Sequence, residues 1–208
     1  MIILGIILGY LVGAVPTGYI FGRALAGIDI REHGSGNLGA TNVLRVLGKG
    51  PGFLVLVLDI LKGMLAVALI PDLLGLTGTF DRVVLAIAAV CGHNWTVFLN
   101  FKGGKGIATS FGVLLGLMIK IALIRPVVFW VFLIWVACFL ATRIVSVSSI
   151  VAATCLPITM VLTNQEFILI CLGVVFCILV VLRHRPNIKR LFAGQEPRVS
   201  LPFFRKDK

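Results

Sequence analysis

The chain is poor in acid. Only eight Asp and Glu stand among 208 residues: Asp29, Glu32, Asp59, Asp72, Asp81, Glu166, Glu196 and Asp207. They are scattered, so no carboxylate cluster of the kind that holds magnesium or calcium can be drawn. HExxH and the Cys/His spacings of zinc sites are missing as well, which argues against a metal-dependent phosphotransferase. The five cysteines lie in apolar runs without CxxC spacing and read as buried free thiols. Charged residues of either sign make up 13% of the chain. No internal repeat is visible, and such repeats mark many transporters.

What fills the chain is hydrocarbon. Hydrophobic residues make up 59%, whereas a soluble domain has roughly 45–50%. Apolar segments run over 1–22, 53–71, 83–99, 107–124, 126–142, 144–162 and 167–182. The expectation is an all-α integral membrane protein, a single polytopic domain over 1–208 with about seven transmembrane helices. The first stretch lacks a basic n-region and a small-residue cleavage site, so it reads as a retained helix. Gly5, Gly9 and Gly13 form a small-residue packing face.

The net charge of +11 has a side. Fifteen lysines and arginines fall in loops 23–52 and 100–106, the turn at 143 and the basic tail 183–208, while Arg82, Lys120 and Arg125 face the other way. The positive-inside rule then places the N-terminus outside and the C-terminus in the cytoplasm, and explains the basic charge without nucleic acid.

Three loops on the cytoplasmic side carry chemistry-bearing residues. Gly34-Ser35-Gly36-Asn37-Leu38-Gly39-Ala40-Thr41-Asn42 matches GxGxxG in letters but lies between membrane segments, not in a βαβ unit. Its glycines permit positive φ, so successive amides are expected to form an anion-binding nest. Ser35, Asn37, Thr41 and Asn42 add donors, and Arg45 follows Thr41 by one helical turn. Gly92-His93-Asn94-Trp95 leads into Gly103-Gly104-Lys105-Gly106, a lysine among glycines at the start of an apolar helix, whose N-terminus favours anions. Polar His93 and Asn94 at membrane depth are equally readable as functional or as structural hydrogen-bonding groups. Arg183-His184-Arg185-Pro186-Asn187 puts His184 and Asn187 on one helical face. Thr142-Arg143 is the charged point of its short link, with Arg143 suited to gripping phosphate.

Together these motifs resemble the bacterial membrane acyl-phosphate:glycerol-3-phosphate acyltransferases. Asp29 through Arg45 is similar to the family's first motif, Gly92-His93-Asn94-Trp95 with Phe101 through Thr109 to its second, and His184 through Glu196 to its third. Thr142 departs from the serine expected before the arginine. The resemblance implies transfer of a fatty acyl group from acyl phosphate to the 1-hydroxyl of sn-glycerol 3-phosphate. The products are lysophosphatidic acid and inorganic phosphate, and the step is the first acylation of phospholipid synthesis. It implies no metal or cofactor, and a bacterial inner-membrane location with the site facing the cytoplasm. The expected partners are the two substrates and membrane lipid, with no nucleic acid and a monomeric chain.

Within that frame Ser35, Lys105 and His184 are the candidate catalytic residues. Gly34, Gly36, Asn37, Thr41, Asn42, Arg45, His93, Asn94, Gly103, Gly104, Gly106, Thr142, Arg143 and Asn187 are the candidate substrate-binding residues. The Ser35–Asn37 nest and the 103–106 loop are assigned to the acyl phosphate head. Arg45, Lys105, Arg143, His184 and Asn187 are assigned to glycerol 3-phosphate. The base is either His184 or the substrate's own phosphate. A transporter of organic phosphates and an anionic-lipid or nucleic-acid binder acting through the tail are the rival readings. The first lacks a polar path and the second leaves the glycine loops unexplained.

Overall fold

The computed structural model describes residues 1–199, and among these all regular structure is helical. The expectation for the end of the basic tail lies outside the described residues. The chain forms two compact units, Met1–Ile124 and a second that begins at Arg125.

The first unit opens with α1 (Ile2–Ala14) and α2 (Thr17–Ala26). The apolar stretch read as one segment is interrupted because Pro16 has no amide hydrogen and disfavours helical geometry at Val15. The carbonyls exposed at this break find side-chain donors. Thr96 Oγ1 donates to Ala14 O at 2.6 Å, and Lys62 Nζ donates to Val15 O at 2.9 Å. The short α3 (Ala40–Leu47) precedes α4 (Lys49–Ala68), a single turn α5 (Ile70–Leu73), α6 (Thr79–Asn94) and α7 (Ile107–Lys120).

Packing follows membrane logic, with small residues inside and large ones outside. The buried residues of α1 are Gly5, Gly9, Gly13 and Ala14, while Ile3, Leu4, Ile7, Leu8 and Leu11 are exposed. The expected glycine face therefore exists, and it is pressed on α6. A Cβ at Gly13 would run into the Ala89 carbonyl, and one at Gly92 into the Tyr10 carbonyl. At the far end of α6 Arg82 donates to Val67 O at 2.7 Å and pairs with Asp72 at 2.5 Å. Lys120 also pairs with Asp72. Two of the three cations that break the charge bias thus share one carboxylate, Asp72.

The second unit comprises α8 (Arg125–Thr142), α9 (Val145–Leu162), α10 (Phe167–Arg183) and α11 (Arg185–Phe192). Pro186 starts α11, and the chain bends by 59° between α10 and α11. Among the described residues five helical stretches are long and apolar enough to cross a membrane, or six if α10 and α11 count as one. At 14 residues α7 is apolar but shorter. The seventh span therefore rests on the pattern of the sequence.

Candidate active site

The first loop is built around one side chain. Asn42, on α3, is 1% exposed. Its Oδ1 accepts from the Ser35 amide at 2.7 Å, and its two Nδ2 hydrogens are shared among three carbonyls, Asn37 O at 2.9 Å, His33 O at 3.0 Å and Ile30 O at 3.3 Å. Asn37 Oδ1 in turn accepts from the Gly39 amide at 2.8 Å, and the Gly36 amide donates to His33 O at 3.1 Å. The loop needs glycine at 34 and 36, where φ is +63° and +69°. The nest expected of this loop is therefore not what its glycines form. The Ser35 and Gly39 amides are taken by the Asn42 and Asn37 side chains, which compete for them at short range, and the Gly36 amide by the His33 carbonyl. What the loop presents outward is side chains: Ser35, Thr41 and Arg45 are exposed.

Upstream, Asp29 anchors the same loop. It accepts from the Arg31 amide at 3.0 Å and from the guanidinium, with Nη2 at 2.6 Å. The side-chain hydrogen bond from Arg31 outweighs burial and lowers the carboxyl to about 2.

The second loop is likewise folded onto a helix end. The last carbonyls of α6 lack intrahelical donors. The Gly104 amide reaches His93 O at 2.9 Å, and the Gly103 amide reaches Asn94 O at 3.2 Å. Side chains are excluded sterically, since a Cβ on Gly104 would strike His93 Nε2 and one on Gly103 the His93 carbonyl. Asn100 and Phe101, at φ +53° and +60°, turn the chain before it enters this contact. Gly106, at φ +79°, leads into α7. Lys105 is half-buried between these glycines. His93 is 7% and Asn94 0% exposed, so both lie beneath the loop and act on it from below.

The two loops share a cleft of about 530 Å³, lined by Asp29, Arg31, Glu32, Gly36, Leu38, Asn100, Lys102 and Gly103. Only Gly36 and Gly103 of these were singled out in the sequence. Arg31 and Lys102 had been absorbed into the charge bias. Asn100 carried the αL signature that asparagine favours, a signal that could have been used.

In the second unit the α8–α9 turn has Arg143 at φ +59°. Thr142 Oγ1 donates to Cys138 O at 2.8 Å and accepts from the Ile144 amide at 3.2 Å, so that hydroxyl brackets the turn. The segment after α11 returns to this place. The Val199 amide donates to Arg143 O at 2.8 Å. Glu196 accepts from Asn187 Nδ2 at 2.5 Å, Ser146 Oγ at 2.8 Å and Arg190 Nε at 2.8 Å. Burial would raise its carboxyl, but these three donors outweigh burial and hold it below the ordinary carboxylate value. Ser146 and Glu196 escaped the site assignment because their meeting spans 50 residues. His184 is 3% exposed, with Nδ1 2.8 Å from Val180 O. A carbonyl only accepts, so Nδ1 carries the hydrogen and Nε2 the basic lone pair of the neutral ring.

The geometry defines a class first: a helical membrane protein whose polar loops present Ser, Thr, Lys and Arg side chains over a tightly bonded backbone. Comparison with known proteins narrows it. The glycerol-3-phosphate acyltransferase family model matches residues 3–194, and the chain belongs to that family. It is 46% identical over 200 residues to glycerol-3-phosphate acyltransferase 2 of Moorella thermoacetica, covering 96% of this chain and 98% of that one. It is also 46% identical over 195 residues to the enzyme of Gloeobacter violaceus, covering 93% and 92%. The crystal structure of PlsY (YgiH), an integral membrane glycerol 3-phosphate acyltransferase in its glycerol 3-phosphate form, superposes with a TM-score of 0.85 at 36% identity. That match covers 96% of both chains. The lysophosphatidic acid form gives 0.82 at the same identity, covering 96% and 95%. The protein is an integral membrane acyltransferase.

Proposed function

We propose that this enzyme transfers a fatty acyl group from an acyl phosphate to the 1-hydroxyl of sn-glycerol 3-phosphate, releasing lysophosphatidic acid and inorganic phosphate. The observation that carries the reading is the pair of related structures, one in a glycerol 3-phosphate form and one in a lysophosphatidic acid form, the acceptor and product of one acylation. The phosphate-bearing donor rests on the motif resemblance.

In the proposed step the hydroxyl oxygen attacks the acyl carbonyl carbon, the carbon–oxygen bond to phosphate breaks, and the hydroxyl proton is taken up. Acyl phosphate carries its own leaving group, so positioning and charge stabilisation supply most of the acceleration. Ser35 and Lys105, with Asn37 and Thr41, are assigned to the acyl phosphate head. Arg45, Lys105, Arg143, His184 and Asn187 are assigned to glycerol 3-phosphate. The proton goes either to His184 Nε2, whose tautomer suits a base, or to the phosphate of the acceptor. The charge bias supports seven spans with α7 as the short one, the N-terminus outside, and a site at the cytoplasmic face of a bacterial inner membrane. A single functional domain acting as a monomer is the working state.

Purified protein in detergent, given glycerol 3-phosphate and either palmitoyl phosphate or palmitoyl-CoA, tests the donor. Lysophosphatidic acid and phosphate from the acyl phosphate alone are expected. Product from the thioester alone overturns the donor while leaving the acyltransferase.

A further inference from the structure

Beneath the second loop lies a polar cluster that the acyl transfer does not use. Asp59 and Lys62, one turn apart on α4, are 1% and 6% exposed. Asp59 Oδ1 accepts from Lys62 Nζ at 2.7 Å and from Thr17 Oγ1 at 2.7 Å. Lys62 Nζ also reaches the Val15 carbonyl at the α1–α2 break. The two charges cancel, so the cluster is tolerated at membrane depth.

Helix pinning alone would account for a neutral pair. It does not account for the third member. His93 Nδ1 lies 3.7 Å from Asp59 Oδ1, so this edge of the imidazole faces the carboxylate of the pair. The opposite edge of the same ring, Nε2, meets Gly104, and the His93 carbonyl holds the Gly104 amide. Ring and backbone of one residue therefore both seat the glycine that precedes Lys105. A cavity of about 10 Å³ is lined by Thr17, Lys62, His93 and Thr96 together with Leu38 of the first loop and Gly104 of the second. The cluster thus adjoins the second loop directly and shares a small cavity with Leu38 of the first.

We propose that Asp59, held by Lys62 and Thr17, is a positioning residue that fixes the His93 ring against Gly104 and thereby sets the pose of Lys105. This rests on the assignment of Lys105 to an anionic substrate made above. Neither Asp59 nor Lys62 touches substrate; both act through His93.

The test is the full-length enzyme carrying Asp59→Asn with Lys62→Met, which removes both charges and leaves none uncompensated. The KM for palmitoyl phosphate and the inhibition constant of inorganic phosphate should each rise by about tenfold or more, with the thermal midpoint little changed. A helix pin would lower the midpoint and leave both constants alone. A folded double variant within about twofold of wild type on both constants overturns the proposal. If that variant does not fold, Thr17→Val decides. It should raise both constants about threefold, with Thr17→Ser restoring them, and unchanged constants in Thr17→Val overturn the proposal. Lys105→Met separates the two readings. If it leaves both constants unchanged, the anion assignment fails and this inference with it. If it raises them while the α4 double variant is silent, only the positioning role fails.

Discussion

The first loop and the C-terminal segment solve one problem with opposite chemistries. Each must hold an irregular stretch of backbone in a fixed shape near water. The first loop uses a neutral keystone, Asn42, which accepts from one amide and shares its two amide hydrogens among three carbonyls inside a span of 13 residues. The C-terminal segment uses a charged one, Glu196, which gathers Asn187, Arg190 and the distant Ser146. An amide can satisfy donors and acceptors together, whereas a carboxylate accepts only. The first loop offers carbonyls as well as an amide, so an amide fits. The C-terminal segment offers only donors, so a carboxylate fits. The amide is indifferent to pH, and the carboxylate is not.

Breaking the neutral keystone should have the largest effect. Asn42→Ala leaves the Ser35 amide and the Asn37 carbonyl without their buried partner, while Ile30 O and His33 O keep backbone donors, at ~1–3 kcal/mol for each group that water cannot reach. A total loss of about 3–5 kcal/mol is expected, with acyl transfer reduced by more than about a hundredfold. Denaturant unfolding and product formation check it. Asn42→Asp is a sharper probe, since a carboxylate keeps the Ser35 contact and faces three carbonyls. It should be nearly as damaging as alanine.

Gly104→Ala should come next. Its methyl would strike the His93 ring, and overpacking costs about 1–3 kcal/mol. Adding His93→Ala should recover part of the thermal midpoint, since it removes the obstacle. No recovery would mean that the glycine is needed for another reason.

The charged keystone should be weaker to lose. Glu196→Gln keeps the carbonyl oxygen but loses the charge that strengthens three bonds, for about 1.5–3 kcal/mol. Hydrogen exchange at the Val199 amide reads the release of the segment from Arg143. The smallest effect is the acid response of the intact protein. The Glu196 carboxyl is held below its unfolded value, so its stabilisation is present above the ordinary glutamate range and is lost as pH falls through the lower folded value. Asp29 behaves alike: its contribution is full above the ordinary aspartate range, declines as pH falls below it and is spent by about 2. Exchange at the C-terminal segment should accelerate with acid before the Asn42 contacts do. Equal acid sensitivity in both places would contradict the contrast.

Much of this was readable beforehand. Hydropathy sees lipid-facing surface directly, so the apolar segments all appear as helices, and Gly5, Gly9 and Gly13 mark a real packing face. Pro16, in plain view, went unused as the break between α1 and α2, because an apolar stretch of that length also suits one unbroken span. The motif loops were located correctly, but the direction of their amides was not legible. GxGxxG reports which φ values are allowed, and what an amide then bonds is decided by neighbours such as Asn42 and His93. Ser146 with Glu196, and Thr17 with Asp59 and Lys62, are long-range meetings that no local pattern encodes. Polar His93 and Asn94 stand out in the sequence for their depth, and both are buried under the 103–106 loop.

The central claim is that the loop glycines serve the fold and that side chains carry the anions. Lys105→Met tests it most directly, by the inhibition constant of inorganic phosphate and the KM for palmitoyl phosphate in a protein whose thermal midpoint is unchanged. Loss of one charge-assisted hydrogen bond, ~1.5–3 kcal/mol, should raise both constants about 10- to 100-fold. Constants that stay at their wild-type values in the folded variant would remove the lysine from anion binding and contradict the account.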